Sequence, residues 1–169
     1  NSAGVETAFG SDVVKYTLAA APGAPTFSGA TSSGVNIAMP AAGSNPSTTL
    51  FAIYESTGDK YLQANGTLGA SAVWQTRSTW DGSTISVNEG AKPLSFKVKA
   101  RNGESVETAF GSETATNTLP ATPGVLAIGS PTTSQLTITT SASGFNNTNV
   151  TTALYAIQNT SNSQYLQTD

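Results

Sequence analysis

The chain has 169 residues with neither histidine nor cysteine, which excludes disulfides, Cys/His zinc sites, thiol redox chemistry and Ser–His or Cys–His catalysis. Charged residues make up 10 %, against about 25 % in typical globular proteins, while Ser and Thr number 47 and hydrophobic residues reach 37 %, enough to fill a core. The net charge of −3 gives no basic footprint for nucleic acid, and no apolar run approaches the ~20 residues that span a bilayer, so neither nucleic acid nor membrane insertion is expected.

The chain opens at Asn1 with no Met and no signal peptide, and is read as processed or as a fragment. In chain order, Val35, Ile37 and Met39 alternate with polar or small residues and predict a half-buried strand. In the next run, Leu50, Ala52 and Tyr54 form one face and Phe51 and Ile53 the other. Thr57-Gly58-Asp59 reads as a tight turn into a strand at Lys60-Tyr61-Leu62-Gln63. Ile85 and Val87 suit a short strand. The clearest alternation is Leu94, Phe96, Val98 and Ala100 against Ser95, Lys97, Lys99 and Arg101. Val106 to Thr118 follows as another strand, broken by Gly111. Leu136 with Ile138, and the run Leu154 to Ile157, predict two more. The fold class is all-β.

The organisation is set by an internal repeat. Val5-Glu6-Thr7-Ala8-Phe9-Gly10-Ser11 recurs identically as Val106-Glu107-Thr108-Ala109-Phe110-Gly111-Ser112, an offset of 101. Thr17-Leu18 matches Thr118-Leu119, and Pro22-Gly23 matches Pro123-Gly124. After a three-residue insertion the offset is 104: Phe51-Ala52-Ile53 matches Tyr155-Ala156-Ile157, and Tyr61-Leu62-Gln63 matches Tyr165-Leu166-Gln167. A period near 100 is the size of one β-sandwich. The frame predicts the last strand of a preceding repeat in 1–21, a complete sandwich in 22–121 and the first half of a following repeat in 122–169. The Pro-Gly pairs stand where linkers belong.

Phe96-Lys97-Val98-Lys99-Ala100-Arg101-Asn102-Gly103 resembles strand F and the F–G turn of a fibronectin type III domain, an immunoglobulin-like fold. Pro22-Gly23-Ala24-Pro25 resembles that family's linker and first strand. Two family positions differ: Met39 or a neighbour stands in place of the strand B tryptophan, and Leu94 in place of a tyrosine of strand F. The resemblance implies tandem fibronectin type III-like sandwiches, one complete and two partial, in a divergent prokaryotic surface protein. Trp74 and Trp80 are then candidates for the missing aromatic bulk.

The candidate chemistry is sparse. Glu55 and Asp59 could bind Ca²⁺ weakly or serve an ordinary turn. Glu104, Glu107 and Glu113 face Lys97, Lys99 and Arg101, as cross-strand charge pairs or, less simply, as a paired-carboxylate site. Lys97, a conceivable isopeptide donor, should point outward. Trp74 and Trp80, with Tyr54 and Tyr61, are candidates for sugar or partner contact, against packing in the core. No basic–aromatic interleaving is evident along the chain. Asn65, Asn146, Asn149 and Asn159 begin glycosylation-type triplets. Residues 114–168 carry no charge at all, through divergence or because neighbouring subunits or glycans cover them.

These readings converge on a noncatalytic, cofactor-free structural component outside the cell or on its surface: a stalk, filament or surface layer. Its partners would be adjacent repeats or neighbouring copies, and glycans. The alternatives are a spacer or carbohydrate-binding module of a secreted polysaccharide-degrading enzyme, or an adhesin.

Overall fold

Alternation of apolar and polar residues puts one face of a strand in the core and the other outside. Residues 94–101 follow that rule without exception: Leu94, Phe96, Val98 and Ala100 have no exposed surface, and the residues between them are half-buried. The computed structural model describes residues 4, 6, 8–86, 93–139 and 154–167. The described elements run β1 (Thr26–Ser28), β2 (Gly34–Ala38), β3 (Leu50–Glu55), β4 (Lys60–Leu62), β5 (Leu68–Gly69), β6 (Gln75–Thr76), α1 (Arg77–Trp80), β7 (Thr84–Ser86), β8 (Pro93–Arg101) and β9 (Thr114–Asn117). Four two-residue strands follow: β10 (Ala127–Ile128), β11 (Ile138–Thr139), β12 (Gln158–Asn159) and β13 (Gln164–Tyr165). The protein is all-β apart from the four-residue α1.

A three-stranded sheet has the order β1-β2-β7, and a six-stranded sheet runs β5-β4-β3-β8-β9 with β6 added on β3. Every pairing is antiparallel. Both sheets contribute to one core: Val35, Ile37 and Ile85 from the smaller, and Phe51, Ile53, Leu62, Leu94, Phe96 and Val98 from the larger. The Phe27 and Phe96 rings meet at 5.1 Å between them.

Trp80 seals this core. It is 1 % exposed, and its indole Nε1 donates to the Phe51 carbonyl at 2.8 Å. The sequence reading did not anticipate the helix that carries it. Arg77 ties α1 down by donating from Nε to the Pro40 carbonyl at 2.9 Å, while Asp81 accepts the Met39 amide at 3.2 Å. Trp80 thus supplies aromatic bulk, as the sequence allowed, and its buried ring has no free face for a sugar or a partner.

The repeat is visible as repeated strand register. Thr26 faces Ala38 and Phe27 faces Ile37; 101 residues on, Ala127 faces Thr139 and Ile128 faces Ile138. Tyr54 faces Tyr61 and Glu55 faces Lys60; 104 residues on, Gln158 faces Tyr165 and Asn159 faces Gln164. Even the left-handed turn residue recurs, at Asp59 (φ 53°) and Ser163 (φ 58°).

Several expectations shift. The predicted strand over Leu154–Ile157 is irregular, and only Gln158–Asn159 pair as β12. In the central repeat the matching residues of β3 lie against β8, whereas in 154–157 the Ile157 carbonyl accepts the Leu166 amide at 2.9 Å. The strand over Val106–Thr118 is split. Thr108 and Gly111 donate to the Ala100 and Val98 carbonyls of β8, and regular pairing resumes only at β9. Val87 lies outside the described residues, while Ile85 is buried in β7 as expected.

Trp80→Ala should destabilise the protein by about 3–5 kcal/mol, since it empties a large core volume and unpairs a buried carbonyl. Val125→Ala, at a side chain 95 % exposed, should stay within about 0.5 kcal/mol. Urea unfolding of both variants checks this, and equal effects would refute the assignment of Trp80 to the core.

Candidate functional site

The outward face of the six-stranded sheet carries the densest chemistry. Lys97, Lys99 and Arg101 project from β8 on the side opposite the core. Register brings them beside residues distant in sequence: Lys97 lies across from Tyr54, Lys99 from Ala52, and Arg101 from Leu50. Tyr61 of β4, Trp74 just before β6, and Phe110 beyond the turn after β8 complete the face. The Tyr54 ring lies 5.1 Å from Tyr61 and 5.2 Å from Phe110.

Cations fill the spaces between these rings. The Lys97 ammonium stands 5.2 Å from the Tyr54 ring and 5.0 Å from Phe110. Lys99 is 5.4 Å from Tyr61 and 5.3 Å from both Trp74 and Phe110. The Arg101 guanidinium stacks 4.4 Å above Trp74. Each such contact contributes about 0.5–1 kcal/mol where exposed. The charged heads themselves lie over the rings, and the Lys99 side chain is only 13 % exposed. Ala52 has no exposed surface beneath them.

Lys99 also donates to Glu107 at 2.6 Å. Burial, the largest single influence, lowers its affinity for a proton, but the hydrogen bond to Glu107 together with the electrostatic pull of Tyr61 and Glu107 outweighs it and holds the ammonium above the ordinary lysine value. The other expected charge pairs across this hairpin do not form. Glu104 meets Lys15 at 2.9 Å, and Glu113 accepts the Ser56 hydroxyl at 2.7 Å. Arg101 Nε is buried with no hydrogen-bond partner among the described residues, which leaves its ring stack as the contact that holds it.

Below this face sits the β3–β4 turn. Glu55, 1 % exposed, accepts the Thr57 and Gly58 amides at 2.9 and 2.7 Å and the Ser95 amide at 3.3 Å. Asp59 accepts the Tyr54 hydroxyl at 2.5 Å. The two carboxylates considered for Ca²⁺ are therefore committed to different partners, and the ordinary-turn reading is the one the geometry fits. The hydrogen bond to Asp59, helped by burial, pushes the Tyr54 hydroxyl up to about 12 from 10.0.

The remaining candidates are scattered. Asn65 is exposed, and its Oδ1 accepts the Thr67 amide at 3.1 Å and hydroxyl at 2.7 Å, which holds the triplet in one turn. Asn159 is exposed and accepts the Ser161 amide at 3.0 Å. Asn146 and Asn149 lie outside the described residues. Of the two tryptophans only Trp74 belongs to the cation and aromatic face; Lys97 points outward, as its alternation required. The sequence reading missed Phe110 and found no basic–aromatic interleaving. Interleaving is present, but it runs across strands: cations come from β8 and rings from β3, β4 and two loops.

No family model matches the chain, and no curated protein matches it. What the face offers chemically is a flat surface of aromatic edges and cations, suited to stacking and hydrogen bonding.

Tyr54 should ionise near pH 12 in a spectrophotometric titration, and Asp59→Asn should return it toward 10.0. The hydrogen bond favours the neutral phenol. Its stabilisation is therefore complete below the unfolded value and lost as pH rises through the folded one. An unchanged titration in the variant would remove Asp59 as the cause.

Proposed function

We propose that the chain is a stretch of tandem fibronectin type III-like β-sandwiches, with the complete one in 22–121. It would be a noncatalytic component of an extracellular surface assembly, such as a stalk, filament or surface layer. The observation that carries this reading is the repeated register. Two hairpins of the central repeat recur residue for residue at offsets of 101 and 104, down to the left-handed turn position. Such repetition favours a role set by the spacing of successive units.

The absence of charge from residues 114–168 fits lateral association, because no like charges oppose an approaching strand edge. In the third repeat Ile128, Leu136 and Leu166 are 65 %, 54 % and 64 % exposed, while in the central repeat their counterparts Val35 and Leu62 are buried and Phe27 is partly buried against the core. Adjacent repeats or neighbouring copies are the partners of this reading, and glycans at Asn65 or Asn159 would sit on exposed turns.

A second reading rests on Trp74. Its ring lies half-buried on an open face beside Tyr61, an arrangement that can stack on a sugar ring, as in a carbohydrate-binding accessory module or an adhesin.

Electron microscopy of the native source should show regular fibres or a lattice at the cell surface, and dispersed single particles would count against the assembly reading. Glycan-array binding that disappears in Trp74→Ala would replace it with the second.

A further inference from the structure

Residues 15–21, which precede the central repeat, and Pro22 at its start run across one end of it and touch it at six places. The Asn45 carboxamide accepts the Ala20 amide at 2.8 Å and donates to the Ala20 carbonyl at 2.9 Å. An asparagine side chain carries the donor and acceptor of a peptide group, so this pair mimics one rung of a strand ladder. Asn102, 8 % exposed, donates from Nδ2 to the Thr17 carbonyl at 3.0 Å. Its Oδ1 is fixed by the Glu104 and Val106 amides at 3.0 and 2.9 Å, so its own turn aims the donor at the incoming segment.

Two glycines make room for the segment. A Cβ on Gly103 would collide with the Tyr16 ring, and one on Gly111 with the Pro22 carbonyl. Pro22 is buried, and Ala19 packs against the core. Lys15 meets Glu104 at the outer edge.

We infer that this end of the central repeat is a docking surface for the end of the preceding repeat, and that the joint fixes the angle between consecutive units. The inference rests on the tandem reading proposed above. Both asparagines bind main-chain groups, at Thr17 and Ala20, so the surface recognises backbone and spacing with little regard to side chains. The following linker keeps Thr118-Leu119, Ala121 and Pro123-Gly124 at the spacing of Thr17-Leu18, Ala20 and Pro22-Gly23. Its side chains differ elsewhere, with Asn117 in the place of Tyr16, as a backbone-reading joint permits.

Amide exchange and ¹⁵N relaxation on the full 169-residue chain test the joint. In the unaltered protein, the amides of residues 16–21 should show order parameters of about 0.85, the value of rigid backbone. Asn45→Ala should accelerate Ala20 amide exchange by about tenfold or more and lower the order parameters of 16–21, with exchange in β3 and β8 unchanged. Gly103→Val, which wedges the Tyr16 site, should loosen the same segment. Mobile residues 16–21 in the unaltered protein would overturn the inference, and so would a segment that stays rigid in both variants. These measurements do not depend on assembly. A source lacking fibres would count against the proposed function and leave the joint standing; a mobile segment would do the reverse.

Discussion

The pairing of β3 with β8 is the constraint on which the rest of the structure depends. Six residue pairs, from Leu50–Arg101 to Glu55–Phe96, lock the two strands together. Side chains alternate across a strand, so a slip of one residue on β8 would turn Lys97, Lys99 and Arg101 inward and expose Phe96 and Val98. Burying three unpaired cations costs several kcal/mol each, and the correct register is enforced by that penalty as much as by the apolar gain. The same ladder sets both faces of the sheet. Inside, it aligns Phe51 and Ile53 with Val98 and Ala100; outside, it lays the cations of β8 among the rings of its neighbours.

The outer face answers a problem that a low-charge, all-β chain must meet. Large rings such as Tyr54, Tyr61 and Trp74 on a sheet face with nothing packed on it would leave an apolar patch open to water. The lysine and arginine side chains close it, with their charged groups set over the rings. Concentrating the basic residues on β8 therefore helps to cover rings as well as to supply charge. The third repeat shows the contrast: without charges in 114–168, its exposed Ile128, Leu136 and Leu166 have no such cover among the described residues.

The fold was legible wherever alternation and burial coincide. β2 and β8 were read with the correct inward residues, and β3 with its two faces but not with which of them is inward, because a strand half in water writes alternation directly into the sequence. Asn45 and Asn102 carried no local signal: their work is to bind main-chain groups 25 and 85 residues away, and any asparagine looks the same before the chain closes. Phe110 went unrecognised for a related reason, since its partners Tyr54 and Lys97 become neighbours only through the sheet. Gly111 read as a strand break; its cause is the close approach of the Pro22 backbone.

The sequence by itself determined the all-β class, the repeat and its period, the inward faces of the main strands and the exclusion of thiol and histidine chemistry. These follow from residue type and spacing, which act over a few positions along the chain. Only the tertiary structure decided that Trp80 is core while Trp74 is surface, that cations and rings interleave on one face, and that two asparagines grip the preceding segment. Each of those depends on which residues the sheet brings together, and strand pairing joins positions whose separation in sequence no local pattern records.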